Sequence, residues 1–222
     1  MNKIALIDYG IGNVRSIANA LRHLGCEPFL TADRDAILGA KAVILPGVGA
    51  FPEGMKNLCD RGLHQTLREY ASKGGYLLGI CLGKQLLFSQ GEEFCSCGGL
   101  GLIPGRVTRL PFETFPDLRT VHIAWSGLAE PEPGRWADSI LRGVPEGADC
   151  YFVHSFAGTP DDPAHVLATS NYGPIRFCAA VRNKNVYGTQ FHPEKSGSMG
   201  LAILKNFVAL AVETEGGSNA EN

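Results

Sequence analysis

An α/β fold is predicted, with a mainly parallel central sheet flanked by helices and an antiparallel β extension in the second half. Three observations predict it. Continuous apolar runs alternate with helical patterns through the first half, the mark of parallel strands covered on both faces. Short β runs between turn signals fill the second half, some alternating in polarity. At 222 residues, the chain suits one large domain able to bury a sizeable core.

In order, KIALIDY is the first strand, followed by the turn GIGN and a helix from Val14 to Leu24. A short strand covers Glu27–Leu30, and a third covers Ala42–Leu45. Pro46-Gly47-Val48-Gly49 breaks that strand, and helical spacing then occupies about Pro52–Lys73. Tyr76–Ile80 is the fourth strand; Cys81 ends it, and a helix runs on to about Phe88. The later β runs are GLGLIPGRVTRL, RTVHIAW, CYFVHSF, HVLATSN, RFCAAVR and NVYGTQF, and Leu201–Val212 has the spacing of a closing helix. With no internal repeat and no strong linker, residues 1–212 read as one domain. The tail ETEGGSNAEN, residues 213–222, is polar and glycine-rich and reads as disordered.

Composition narrows the function classes. A chain that is 45% hydrophobic and 19% charged is an ordinary globular protein. A net charge of −2 without a basic stripe gives no electrostatic case for nucleic acid or an anionic membrane. The apolar runs are strand-length, too short to span a bilayer, and MNKIALIDYG lacks a signal peptide's cleavage region. Seven irregularly spaced cysteines argue against a secreted disulfide framework and for a reducing cytoplasm. Cys95 and Cys97 form a C-x-C pair with no companion motif, which favours free thiols over a metal site.

The stretch GYLLGICLGKQLLFSQ carries the chemistry. Strand, G-I-C-L-G, then helix is a nucleophile elbow with cysteine in the serine slot. Gly79 and Gly83 let strand and helix approach closely, and the helix start favours the thiolate. The N–H of Leu82 points where an oxyanion develops. Of the six histidines, His23 and His64 read as surface residues on amphipathic helices, and His165 as a turn residue. His122 and His154 read as satisfied, half-buried strand residues. His192 differs: Pro193 holds it after a strand, and Glu194 follows, so imidazole and carboxylate are presented as a unit. Cys81, His192 and Glu194 together make a Cys–His–Glu triad. PGVG, at the end of a parallel strand, lies on the edge where α/β sheets bind ligands. Its Val48 and Gly49 amides complete an oxyanion hole if a peptide there flips.

PGVGAF, GICLGKQLLF and GTQFHPEKSG, in this order and spacing, resemble the class I (triad) glutamine amidotransferases. DYGIGN, GLGLIPGRV and YFVHSF are similar to one branch, the glutaminase subunits of imidazole glycerol phosphate synthase. The resemblance runs from about Ile4 to Phe207. It implies that Cys81 attacks the amide of L-glutamine, that His192 is general acid and base, and that Glu194 orients it. Gln85 matches a glutamine-binding position, beside Gly49 of the oxyanion loop. It further implies no cofactor and no metal, and delivery of ammonia to a (β/α)8-barrel cyclase subunit within a heterodimer. Asn13, Trp125, Tyr151 and Lys195 match positions at the subunit interface and ammonia gate.

Two departures stand out. His122-Ile123-Ala124-Trp125-Ser126 replaces the branch's usual His-Met-Gly-Trp-Asn, and Lys84 stands where methionine is more usual. Some relatives feed other synthases, such as those modifying surface-polysaccharide sugars, which is the alternative recipient. Three rival readings are weaker. A dinucleotide-binding turn has Gly10, Gly12 and Asp33 but Arg15 in place of the third glycine. A Cys–His peptidase or γ-glutamyl hydrolase shares the triad logic but not glutamine-dependent ammonia release. A regulatory subunit without catalysis has nothing in its favour while the triad is intact.

Overall fold

The computed structural model describes residues 2–213; the predicted disordered tail, apart from Glu213, lies outside the described residues. The first half runs β1 (Lys3–Ile7), α1 (Val14–His23), β2 (Glu27–Thr31), α2 (Arg34–Leu38), β3 (Ala42–Leu45), α3 (Phe51–Asp60), α4 (Leu63–Ser72), β4 (Tyr76–Ile80) and α5 (Leu82–Leu86). The second half adds β5 (Phe88–Gly91), β6 (Cys97–Gly98), β7 (Ile103–Arg109), β8 (His122–Gly127), β9 (Asp149–His154), β10 (Phe156–Pro160), β11 (Val166–Tyr172), β12 (Ile175–Asn183) and β13 (Val186–Thr189), and α6 (Gly197–Glu213) closes the chain.

A seven-stranded sheet in the order β11-β12-β13-β4-β3-β1-β2 forms the centre. From β13 to β2 every pair is parallel, whereas β12 and β11 add antiparallel strands at one edge. Every residue of β3 is buried, and so is every residue of β1 after Lys3, as interior parallel strands require. Alternate side chains feed two cores. Ile4, Leu6, Ile44 and Leu78 pack with Ile17 and Leu21 of α1 and Phe207 of α6. Ala5, Ile7, Val43 and Leu77 pack with Met55, Leu58 and Leu67 of α3 and α4 on the other face. A four-stranded sheet (β10-β7-β5-β6) and the β8–β9 pair stand apart from the central one.

Three local details sharpen the picture. The helical spacing over Pro52–Lys73 resolves into two helices, broken where Gly62 turns left-handed at φ 69°, a conformation glycine adopts without steric cost. Helix α2 was not anticipated. It has only five residues, and its start is set by Asp33, whose carboxylate accepts from the Ala36 amide at 2.8 Å. That cap is a structural use for Asp33, the acidic residue of the dinucleotide reading. Finally, α5 stops at Leu86 instead of Phe88, because Phe88 pairs with Ile103 in the second sheet.

Candidate active site

Cys81 sits between β4 and α5 at φ 56° and ψ −111°, a strained setting for a residue with a side chain. Its amide donates to the Thr189 carbonyl at the end of β13 (2.8 Å), and its carbonyl accepts from the Gln85 amide (3.2 Å). The flanking glycines are demanded by backbone contact. A Cβ on Gly79 would lie 2.6 Å from the Gly83 carbonyl oxygen, and one on Gly83 would lie 1.9 Å from the Leu45 carbonyl oxygen. The corner is therefore wedged between β4 and the end of β3. With only five residues in α5, the dipole at its start offers a charge at the sulfur about 1 kcal/mol, a minor contribution.

His192 follows the end of β13 and is 2% exposed. Its Nδ1 lies 2.9 Å from Glu194 Oε1, and both side chains are buried. Asn13 Nδ2 donates to the same carboxylate oxygen at 3.3 Å. The ring's Nε2 is buried without a hydrogen bond of ordinary geometry. Burial alone would lower the imidazole's pKa; Cys81 and then Glu194 outweigh it and raise it to about 9. The segment is clamped from behind: the His192 amide donates to the Tyr151 carbonyl (3.0 Å), and Ser196 Oγ donates to the His192 carbonyl (2.7 Å) while accepting from the Tyr151 amide (3.0 Å).

Val48, Gly49, Cys81, Leu82, Gln85 and His192 line one cavity of about 300 Å³, at the small end of ligand pockets. Gln85 Nε2 donates to the Phe156 carbonyl at 2.9 Å. Gly49 adopts φ 100° with open space where a side chain would project. The loop before it is pinned, because the Tyr9 hydroxyl donates to the Pro46 carbonyl at 2.6 Å; burial pushes that hydroxyl's pKa up, so it keeps its proton. Sequence reasoning missed Glu93 and Ser155 in the wall. Glu93 reaches the cavity by accepting from the Phe51 amide at 2.8 Å, a contact between a loop and a helix start that no local pattern encodes.

His122 and His154 are more buried than expected, 0% and 6% exposed, and they form a chain. His154 Nδ1 lies 2.9 Å from the Phe156 carbonyl, His154 Nε2 lies 3.1 Å from His122 Nδ1, and His122 Nε2 lies 3.0 Å from Ser126 Oγ. The Phe156 carbonyl only accepts, so each proton is assigned in turn: Ser126 donates to His122, His122 to His154, and His154 to Phe156. Burial lowers the pKa of His122 to about 4; burial likewise dominates at His154, lowering it to about 3. Both rings titrate near 6.5 when unfolded, so their neutral burial stabilises the fold above about pH 6.5. That contribution is lost as pH falls towards 4 and then 3. His192 has the opposite sign: its contribution is complete below about 6.5 and is lost as pH rises through about 9. Thermal unfolding midpoints should therefore fall from pH 6.5 to 4.5, and His154→Gln should reduce the slope by about half. An unchanged slope in that variant would refute the assignment.

The residues matched to an interface fall on two sides of His192. Trp125 and Tyr151 pack edge to face with ring centres 6.0 Å apart, and Lys195 Nζ lies 5.7 Å from the Tyr151 ring centre. Asn13 instead reaches inward to Glu194. Along β8, Ile123 and Trp125 alternate outwards at 60% and 55% exposure, and Val121 continues that apolar row. Among the described residues, no group of three or more His, Cys, Asp or Glu side chains is arranged to hold a metal ion, and no helix is long and apolar enough to cross a membrane.

The chain is similar in sequence and in fold to known proteins. The sequence model of the glutamine amidotransferase class-I family matches residues 5–211. The imidazole glycerol phosphate synthase subunit HisH of Moorella thermoacetica is 46% identical over 207 residues, 93% of this chain and 94% of that protein. The HisH subunit of Geobacter metallireducens is also 46% identical, over 93% of this chain and 98% of its own. In three dimensions the chain is similar to the structure of PurLQS from Thermotoga maritima, with a TM-score of 0.72 at 19% identity, covering 94% of this chain and 98% of that one.

Proposed function

This chain belongs to the glutamine amidotransferase class-I family, and from that premise we propose that it is the glutamine-hydrolysing subunit of an imidazole glycerol phosphate synthase, acting in histidine biosynthesis. Its relatives carry that name at 46% identity over nearly their whole length, which favours this recipient over a sugar-modifying synthase. The observation that carries the chemistry is the meeting of Cys81 and His192 at one small cavity, with Glu194 buried behind the imidazole at 2.9 Å from its Nδ1.

Residues 1–212 act as one glutaminase domain. At neutral pH the raised pKa of His192 favours an imidazolium beside a Cys81 thiolate. The thiolate attacks the side-chain carbonyl carbon of glutamine, and the negative oxygen settles towards the amides of Leu82 and the Val48–Gly49 loop. His192 Nε2 gives its proton to the departing nitrogen, releasing ammonia and leaving a γ-glutamyl thioester. The same nitrogen then takes a proton from water, which cleaves the thioester to glutamate. Glu194 holds Nδ1 throughout. The Glu93 carboxylate suits the substrate's ammonium group, and Gln85 braces the Phe156 wall.

The cyclase subunit is a (β/α)8 barrel forming a heterodimer in the cytoplasm, seated over the apolar row Val121, Ile123 and Trp125. Exposed apolar surface of this kind suits a partner, and Tyr151 and Lys195 lie between that row and His192. Docking also switches the oxyanion loop, since Val48 separates two glycines and one peptide flip decides whether an N–H or a carbonyl faces the cavity. A missing oxyanion donor costs about a hundredfold or more in turnover. Glutamine hydrolysis should therefore rise by about that factor from the chain alone, or with empty cyclase, to the complex with its nucleotide substrate. Equal rates in all three states would remove the coupling. Stimulation by a sugar-modifying synthase alone would overturn the assigned recipient.

A further inference from the structure

Lys84 is the third residue after the Cys81 corner and is wholly buried. Its ammonium donates to the Cys178 carbonyl at 2.7 Å and reaches Gln190 Oε1 at 3.5 Å. The other end of that amide, Gln190 Nε2, lies 4.0 Å from Cys81 Sγ. Phe88 presents its ring to the ammonium with the centre 5.8 Å away. Gly188 makes room for the stem, since a Cβ there would lie 2.6 Å from Lys84 Cγ. Among the described residues, no carboxylate pairs with Lys84: its polar partners are a carbonyl and an amide.

A buried ammonium is costly without a counter-charge. Burial lowers the Lys84 pKa, while Cys178 and Cys81 act to raise it. Burial raises the pKa of the Cys178 thiol and keeps it neutral, which leaves the Cys81 thiolate, linked to Lys84 through Gln190, as the anion this site can generate. An ammonium can only donate, so Lys84 also decides the orientation of Gln190. Oε1 must face the lysine, which leaves the amide N–H₂ facing the sulfur.

We propose that Lys84 is a positioning residue for the nucleophile: it locks Gln190 with its N–H₂ towards Cys81 and supplies the counter-charge that stabilises the thiolate. This rests on the reading of Cys81 as the nucleophile of glutamine hydrolysis. It also answers the weakness of the five-residue helix α5, whose dipole is a minor source of stabilisation. The other groups around the sulfur are His192 with Glu194 behind it, Tyr9 beyond β1, His154 of β9, Cys178 of β12 and Glu93 in the cavity wall. Of these, His192 is the other cation, and burial keeps His154 neutral. The thiolate thus has a cation on each side, one that exchanges protons with substrate and one sealed in the core.

The test is the pH profile of iodoacetamide alkylation at Cys81, followed by mass spectrometry on the full-length chain from pH 5 to 10. Lys84→Met removes charge and hydrogen bonds, while Lys84→Gln keeps a polar donor in the core and removes the charge and the donor-only lock on Gln190. Both variants should move the alkylation midpoint up by about one pH unit, so that the rate at pH 7 falls about tenfold. In the complex, kcat for glutamine should fall with KM nearly unchanged. If Lys84→Met does not fold, as judged by circular dichroism, Lys84→Gln decides alone. A wild-type profile in the glutamine variant overturns the proposal. Failure of the wild-type complex to hydrolyse glutamine would overturn the assigned activity instead, leaving the alkylation comparison to be read separately.

Discussion

Cys81→Ala should lower glutamine hydrolysis by about 10⁴-fold or more, as expected when the atom that forms the covalent intermediate is removed. The fold should survive. Cys81 is held by main-chain bonds to Thr189 and Gln85, and its neighbours Gly79 and Gly83 carry the tight packing. Alanine takes the thiolate away from the buried Lys84 ammonium, so a modest loss of stability accompanies the loss of activity. The complex should still make product from free ammonium, because nothing in the cyclase reaction needs the sulfur. Appreciable glutaminase activity in this variant, assayed as glutamate release by the complex, would show that the corner is structural.

His192→Ala should come next, with a loss of about 10³- to 10⁴-fold, because one ring nitrogen serves both the departure of ammonia and the arrival of water. Glu194→Gln should be milder. It keeps an oxygen for Nδ1, and Asn13 remains beside it at the same carboxylate position. What it loses is the charge that supports the imidazolium, so its defect should ease when the pH is lowered from 9 to 7. A glutamine variant more damaged than the alanine variant at every pH would reverse the roles assigned to base and orienter.

The parallel core was legible because its strands are apolar without interruption, as in AVIL at β3, and that pattern needs no tertiary knowledge. Cys81 was legible for a related reason: glycines two residues to either side are a local trace of backbone crowding. His192 and Glu194 shared a stiffened segment, so their partnership was local too. Elements whose form depends on distant partners were less readable. Helix α5 was overestimated because its end is decided by the pairing of Phe88 with Ile103. Glu93 joins the cavity through the Phe51 amide, 42 residues away in sequence. The histidine chain was hidden because His122 and His154 alternate correctly within ordinary strands, and only their antiparallel pairing sets them opposite one another. Asn13, matched to an interface position, also donates to Glu194 from the start of α1, a contact across the fold that no local pattern encodes.

The crowding at the corner also limits how the neighbouring loop can move. Gly47 is fixed, since a Cβ there would lie 2.6 Å from the Gly83 amide nitrogen, and Phe51 is fixed by the hydrogen bond its N–H donates to the Glu93 carboxylate and by its complete burial. Between these two anchors only residues 48–50 are left to rearrange, a span of at most about 11 Å when fully extended. The travel of such a short tether is a few ångströms, and reorganising it belongs to the nanosecond-to-microsecond regime of small loops. On the coupling proposed above, the tempo of activation is then set by how long the partner stays docked, not by the hinge itself.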